Sequence, residues 1–447
     1  MTRRPWMTVP LLAIACGEAS DDGAQQGSSD DGASTVSGSL SSTVGDATVV
    51  DASSDADGSD TGGSSESGDA TDGGSESTGG GSQRCGAPAP AGLPDDAPAL
   101  APGVWTNVGP AQVTFGNDVF TQGLAIDPCD PAIIYLTVSA FDVAPAGLFK
   151  TTNAGATWTR VASVQSDQEG VDHLDEPIRV RIDPEDPQHL YVVDGVRGAT
   201  MGFWVSHDGG ESFTMPEGFR SLEANEGIFM FDTYDVAVDP TDFDHLLVSS
   251  HSPWSWEQPN VPAGVLESKD GGESWIVHPG QPSWTQGHAI NFLFDPEQGI
   301  GDASTWLLGS QDDGMWRTTD AGATWTQVTT TAIQHGGGTI YYARNGVLYA
   351  SGTPTLLRST DNGASWISVG PPGGGFTAVH GDGELLYTAM IYGPAPMSVS
   401  SEDDGMTWTA QGEHQFGQGP FEMAFDATNR IFYSASWNDG LWALALP

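Results

Sequence analysis

Residues 317–328 read RTTDAGATWTQV, and five further stretches repeat the pattern. They are KTTNAGATWTRV at 150–161, VSHDGGESFTMP at 205–216, ESKDGGESWIVH at 267–278, RSTDNGASWISV at 358–369 and SSEDDGMTWTAQ at 400–411. The shared core is Ser/Thr-x-Asp/Asn-x-Gly-x-Ser/Thr-Trp/Phe. An internal repeat constrains architecture before any other feature does. In each copy an Asp or Asn (Asn153, Asp208, Asp270, Asp320, Asp361 and Asp403) can accept N–H bonds from its own turn. Glycine permits a positive φ there, and the aromatic covers the turn with apolar area. The repeat therefore reads as a fold staple, and these six residues as structural.

A second motif alternates with the first. LAIDPCDPAIIYLTV (124–138), VRIDPEDPQHLYVVD (180–194) and VAVDPTDFDHLLVSS (236–250) are close copies, FLFDPEQGIGDASTWLLGS (292–310) is a longer one, and three weaker copies follow. Each is an apolar run, a turn rich in Asp, Pro or Gly, and a second apolar run, which predicts two strands and a turn. A third short strand precedes each box and a fourth begins at its aromatic. Four antiparallel strands per repeat make one propeller blade. Seven such strand pairs stand against six boxes. The seventh unit ends at Asp439-Gly440-Leu441-Trp442 with no fourth strand, while Trp105-Thr106-Asn107-Val108 resembles an outer strand with no blade. The expected fold is all-β: a seven-bladed propeller of four-stranded blades, closed by the N-terminal strand in the last blade, where closure removes exposed sheet edges.

Outside the repeats the chain divides simply. Residues 1–16 hold Arg3 and Arg4, a short apolar run and Ala13-Ile14-Ala15-Cys16. That run is too short to span a bilayer and reads as a bacterial lipoprotein signal with Cys16 as the lipidation site. Residues 17–84 are Ser, Gly, Asp, Thr and Ala with 14 acids, and read as a disordered acidic linker. The domain is expected over 85–447, with 45 acidic against 11 basic side chains. Such a charge repels nucleic acid and anionic lipid, so neither is an expected partner, and membrane contact is expected only through the lipid. Cys85 and Cys129 remain as an even pair in an exported domain and predict a disulfide. No CxxC or Cys/His cluster is present, and no metal or cofactor is expected.

The opposite face from the boxes carries the loops that break the repeat, and function is sought there. Trp254, Trp256 and Glu257 with His251 lie in SHSPWSWEQPNVPAG, His288 in WTQGHAIN, Asp312 and Asp313 in GSQDDGM, and Trp437 in SWNDG. Flat aromatic faces and polar groups of this kind suit a glycan, or a surface protein; the alternative for exposed tryptophan is packing between blades. Aligning the inner strands four residues before each turn Asp places Gly123, Arg179, Asp235, Asn291 and Glu422 toward the central channel. Two readings stand there. Arg179 and Asp235 pair as a structural lining, or Asp235, Glu422 and Asp312 or Asp313 supply paired carboxylates for glycosidic cleavage. A lyase would instead draw on His251, His288, His335 or His414 with Tyr234 or Tyr392.

The boxes resemble the Asp-box, or BNR repeat, found in sialidases, xyloglucan-cleaving endoglucanases, sortilin-type receptors and a photosystem II assembly factor. The resemblance covers about residues 100–447. Sialidases carry an Arg-Ile-Pro motif and three arginines. Here that motif is absent, and no arginine lies between Arg84 and the first box. WTNVGP, FTQGLAIDPCDPAIIYLTV and GLFKTTNAGATW are more similar to the xyloglucan enzymes, whose catalytic Asp after the second strand of blade one corresponds to Asp142. Those enzymes carry two facing propellers, whereas this sequence holds the repeats of one. The expected function is a lipid-anchored, monomeric propeller that binds a glycan at the cell envelope, or in secreted form. The alternatives are a glycoside hydrolase or lyase acting on a non-sialic glycan, and an envelope interaction scaffold.

Overall fold

The structure is a computed structural model. It describes residue 85 and residues 92–116, 118–140, 146–161, 176–195, 202–222, 233–251, 263–284, 288–293, 301–311, 313–333, 340–343, 346–370, 375–376, 378–390, 398–411 and 418–447. All belong to one compact unit, Ser75–Pro447.

Seven antiparallel sheets follow one another along the chain. Blade three shows the plan, with inner strand Thr233–Asp239, then Asp242–Ser250, Val265–Ser268 and outer strand Ile276–His278. In blade two the outer strand is reduced to one bridge between Val205 and Thr214. Blade seven runs Pro420–Asp426, Ile431–Ser436 and Gly440–Ala445, and takes its fourth strand, Trp105–Asn107, from the N-terminal side. The register is Trp105 opposite Leu444, Thr106 opposite Ala443 and Asn107 opposite Trp442. Ring closure by an N-terminal strand is thus observed in the pairing anticipated from the unmatched ends.

The second and third strands of the blades are buried along most of their length on both faces, while outer strands such as Thr159–Arg160 and Thr409–Ala410 are exposed. Among the described residues the core falls into seven apolar clusters; six join two consecutive blades, and the seventh joins blades two and three and also takes in Phe421 of blade seven. Ile134 and Phe149 meet Tyr433 and Leu441 where blade seven meets blade one, for example, and Tyr349 and Leu356 meet Phe376 and Leu386 between blades five and six. A buried aromatic or aliphatic side chain contributes about 1.5–3 kcal/mol, so every blade depends on both neighbours.

The repeated turn works as a hydrogen-bonded knot. In the copy at 317–328, Thr318 Oγ1 donates to Asp320 Oδ1 at 2.7 Å and accepts from Gly322 N at 3.1 Å. Asp320 then accepts from Thr324 N at 2.8 Å and from Thr324 Oγ1 at 2.6 Å. The Thr324 and Thr318 hydroxyls hold the Asp320 carboxyl below its ordinary value. The residue after the Asp also adopts positive φ, at Ala154, Ala321, Asn362 and Asp404 as well as Gly209 and Gly271. Sequence reading had assigned that freedom to the following glycine alone.

The first copy has Asn153 in place of Asp, and the structure supplies the reason. Asn153 Oδ1 accepts the usual bond from Thr157 N at 2.9 Å, while its Nδ2 donates to Asp96 Oδ2 at 2.8 Å. Asp96 lies on the N-terminal strap, whose Leu93 and Leu100 pack on the cluster between blades seven and one. Cys85, at the start of that strap, is joined by a disulfide to Cys129 in the turn of blade one. Asn153→Asp would set two carboxylates against each other and remove a donor. It should cost about 1–3 kcal/mol in urea unfolding, and Asp96→Asn in the same chain should restore most of it. An unchanged midpoint in Asn153→Asp would show that the contact holds nothing.

Candidate functional site

The central channel is lined by the inner strands, and those of blades two, three and seven share one irregularity. Register slips between Pro177 and Arg179, between Thr233 and Asp235, and between Pro420 and Glu422. Each slip is a β-bulge with one extra residue: Ile178, Tyr234 and Phe421. A bulge re-aims the side chains beside it. Here the three extra residues enter one apolar cluster, so blade seven reaches across to blades two and three. The residue after each bulge is Arg179, Asp235 or Glu422, and all three are buried.

These charges meet with a fourth, Arg181. Arg179 Nε lies 3.4 Å from Asp235 Oδ1. Arg181 spans both acids, with Nη2 at 3.4 Å from Asp235 Oδ1 and Nη1 at 3.1 Å from Glu422 Oε1. Backbone donors complete the shell: Leu124 N gives 2.8 Å to Glu422 Oε2, and Ile290 N gives 3.2 Å to Asp235 Oδ2. Arg179 also donates to the Gln122 carbonyl, and its guanidinium lies 5.2 Å from the Phe421 ring centroid. Two cations thus face two anions, and the network is neutral within a strongly acidic protein. Burial pushes the Asp235 carboxyl up, against the pull of Arg179 and Arg181 and together with the repulsion of Glu422. Burial works against charge on Arg179, but Glu422 and Asp235 outweigh it.

Of the residues singled out from sequence, the structure brings together Arg179, Asp235 and Glu422. Arg181 was missed, although its signal was present: it stands two residues after Arg179, on the same face of the strand. Arg181 also lines a cavity of about 350 Å³ between the Asp-Pro turns of blades two and three, with Asp183, Asp239 and Phe243.

Nearer the loop end of the channel, Trp437 stacks on Phe120 with centroids 4.4 Å apart and lies 5.3 Å from Phe421. His251 is buried, 5.5 Å from the Tyr234 ring. Asn291 sits on the inner strand of blade four opposite Leu307 and is half-buried. His288 opens the same strand, but its side chain is outside the described residues. Asp313 accepts from Ser283 Oγ at 2.7 Å and from Trp316 Nε1 at 2.9 Å, which fixes its loop. Asp142, Asp312, Trp254, Trp256, Glu257, His335, Tyr392, His414 and Cys16 lie outside the described residues. One further histidine enters the lining: His380, on the inner strand of blade six, is brought down to about 4 by burial and is a neutral imidazole beside Tyr341.

No family model matches the chain. An oligoxyloglucan-reducing end-specific xyloglucanase of Emericella nidulans is 25% identical over 344 residues, which is 72% of this chain and 39% of that protein. A probable enzyme of the same description from Neosartorya fischeri is 26% identical over 215 residues, 45% of this chain and 24% of that one. The chain thus spans a quarter to two fifths of the length of these curated relatives. Among solved structures, the GH74 xyloglucanase of Xanthomonas campestris superposes with a TM-score of 0.54 at 18% identity, covering 76% of this chain and 53% of that one. An ancestral GH74 enzyme gives 0.50 at 16% identity, covering 78% and 46%. The likeness to these structures is one of fold: the chain is a seven-bladed β-propeller, similar in fold to the propellers of these xyloglucanases.

Proposed function

We propose that this propeller is a glycan-recognition module for a β-linked glucan of the xyloglucan type, engaged on the loop-rich face. A lipid on Cys16 and the acidic linker of residues 17–84 hold it at the cell envelope as a monomer. The observation that carries the reading is the match to a xyloglucanase across 72% of the chain. The aromatic stack of Trp437 on Phe120 gives a polar ligand a flat apolar partner at the loop end of the channel.

Binding is favoured over cleavage because of the channel chemistry. A glycosidase of the usual kind needs an acid that presents a proton to the glycosidic oxygen and a second carboxylate across the bond. Asp235 and Glu422 instead share the Arg181 guanidinium and accept backbone amides. The second reading, a glycoside hydrolase, is favoured by the relatives' names and would place catalysis on Asp142. A single experiment separates the two: the full chain is titrated with xyloglucan and cello-oligosaccharides while reducing ends are counted. Saturable binding without sugar release is expected, and Trp437→Ala should weaken it about tenfold, the value of one aromatic stack. Sugar release abolished by Asp142→Asn would establish the hydrolase. Neither binding nor release would remove glucans.

A further inference from the structure

Outside the channel, blade three carries a second set of buried charges, with one side chain from each of its four strands. Asp239 ends the inner strand, and His245, Glu267 and His278 lie on the second, third and outer strands. They are joined in series. His245 Nδ1 is 3.1 Å from Asp239 Oδ2, His245 Nε2 is 2.8 Å from Glu267 Oε1, and His278 Nε2 is 2.9 Å from Glu267 Oε2. Lys269 Nζ lies 3.2 Å from Glu267 Oε1. The second oxygen of Asp239 is occupied by the Thr241 amide at 2.8 Å and hydroxyl at 2.7 Å. The groups run in a line and do not converge on a point that would hold a metal.

The pattern dictates protonation. An ionised carboxylate only accepts hydrogen bonds, and a neutral imidazole has one donor and one acceptor nitrogen. His245 bonds a carboxylate through each nitrogen, so both nitrogens must carry hydrogen. His278 bonds a carboxylate through one nitrogen only, and its Nδ1 side packs beside Gly322 of the next blade's repeated turn. Burial pulls His245 down, but the bonds to Glu267 and Asp239 prevail and raise it above its ordinary value of 6.5. Burial likewise raises Glu267, and the bonds from His245, His278 and Lys269 prevail in holding it below 4.5.

We propose that this line of bonds is a proton-operated clasp. As the imidazolium, His245 ties the Asp-Pro turn of blade three to that blade's outer strands, and loss of its single proton on alkalinisation releases the outer half of the blade. Among the described residues, the charged and titratable groups facing His245 are Asp239 from the inner strand and Glu267, with Lys269 behind it, from the third. His278 on the outer strand acts through Glu267. Among the described residues, blade four offers the uncharged rings of Phe292, 4.9 Å from His245, and Trp306, 5.2 Å from His278. The signs follow from the two shifts. The raised histidine stabilises fully below 6.5, and that contribution is lost as pH rises through its folded value. The depressed glutamate stabilises above 4.5, and that contribution is lost on strong acidification. The clasp is therefore closed between about pH 4.5 and pH 6.5 and opens as pH rises through the folded value of His245.

Amide hydrogen exchange on the full chain, corrected for intrinsic rates, tests the clasp between pH 6 and pH 9. Protection of Val265–Ser268 and Ile276–His278 should fall about tenfold or more across that range, while the corresponding strands of blade five, Leu356–Ser359 and Ile367–Val369, hold theirs. In His245→Gln, which cannot take the charge, the step should vanish. Should that variant not fold, Glu267→Gln serves instead and should move the step to lower pH. An equal loss in both blades, or a step retained in His245→Gln, overturns the proposal. So does an NMR titration that finds wild-type His245 neutral at pH 6.5.

Discussion

Replacing Arg179 with methionine should destabilise the protein by about 3–5 kcal/mol, the cost of breaking a buried, hydrogen-bonded ion pair from one side. Arg179 is 2% exposed, and methionine fills similar volume with no charge. Of the two arginines at Asp235, only Arg181 would then remain, and it is shared with Glu422. Burial already holds Asp235 above the ordinary carboxylate value. Protonation on acidification therefore favours the folded variant, and its deficit should shrink as pH is lowered. Arg179→Met with Asp235→Asn should cost less than the sum of the single changes, with a coupling of about 1–3 kcal/mol. Guanidinium chloride unfolding at two pH values gives all these numbers. If Arg179→Met is as stable as wild type but binds glucan poorly, the arginine belongs to the ligand and not to the frame.

The second large effect concerns the disulfide. Joining Cys85 to Cys129 closes a loop with a sequence separation of 44. Chain-entropy reasoning assigns such a loop about 4 kcal/mol. Cys129→Ser, or wild type under reductant, should lose up to that amount. The loss should concentrate at the junction of blades seven and one, because the freed strap carries Leu93, Leu100 and the Asp96 carboxylate that meets Asn153. Unfolding midpoints with and without dithiothreitol measure this. Identical midpoints would mean that the strap stays docked through its side chains alone.

The ring itself was legible because each of its parts leaves a local mark. A strand pair shows as two apolar runs, a tight turn as Asp-Pro, and the closing strand as an outer-strand sequence without a blade. The channel was only partly legible. Counting four residues back from each turn Asp found Arg179, Asp235 and Glu422, since the inner strands carry no inserted residue in the register from that position to the residue before the turn Asp, although in blade three the pairing shifts again between Val238 and Asp239. Beyond it the bulges at Ile178, Tyr234 and Phe421 insert one residue each, and nothing in their side chains announces an insertion. Arg181 was overlooked because only one position per strand was compared. The Asn in the first box looked like a neutral variant; its meaning depends on Asp96, which lies 57 residues away in sequence. Such non-local partners are invisible to periodicity.

The shared blade has a consequence for how the chain reaches this state. Asn107 Nδ2 donates to the Asp439 carbonyl across 332 residues, and the neighbouring strand pairing is equally distant. Contacts of this span form late, because loop-closure entropy opposes them until the intervening blades are in place. A nascent chain can stack blades one to six in order, yet blade seven must keep an open edge until its two halves meet. That unpaired edge is the surface most exposed to strand-to-strand aggregation during synthesis. Folding yield should therefore be limited by the final joining, the step most in need of a chaperone's protection.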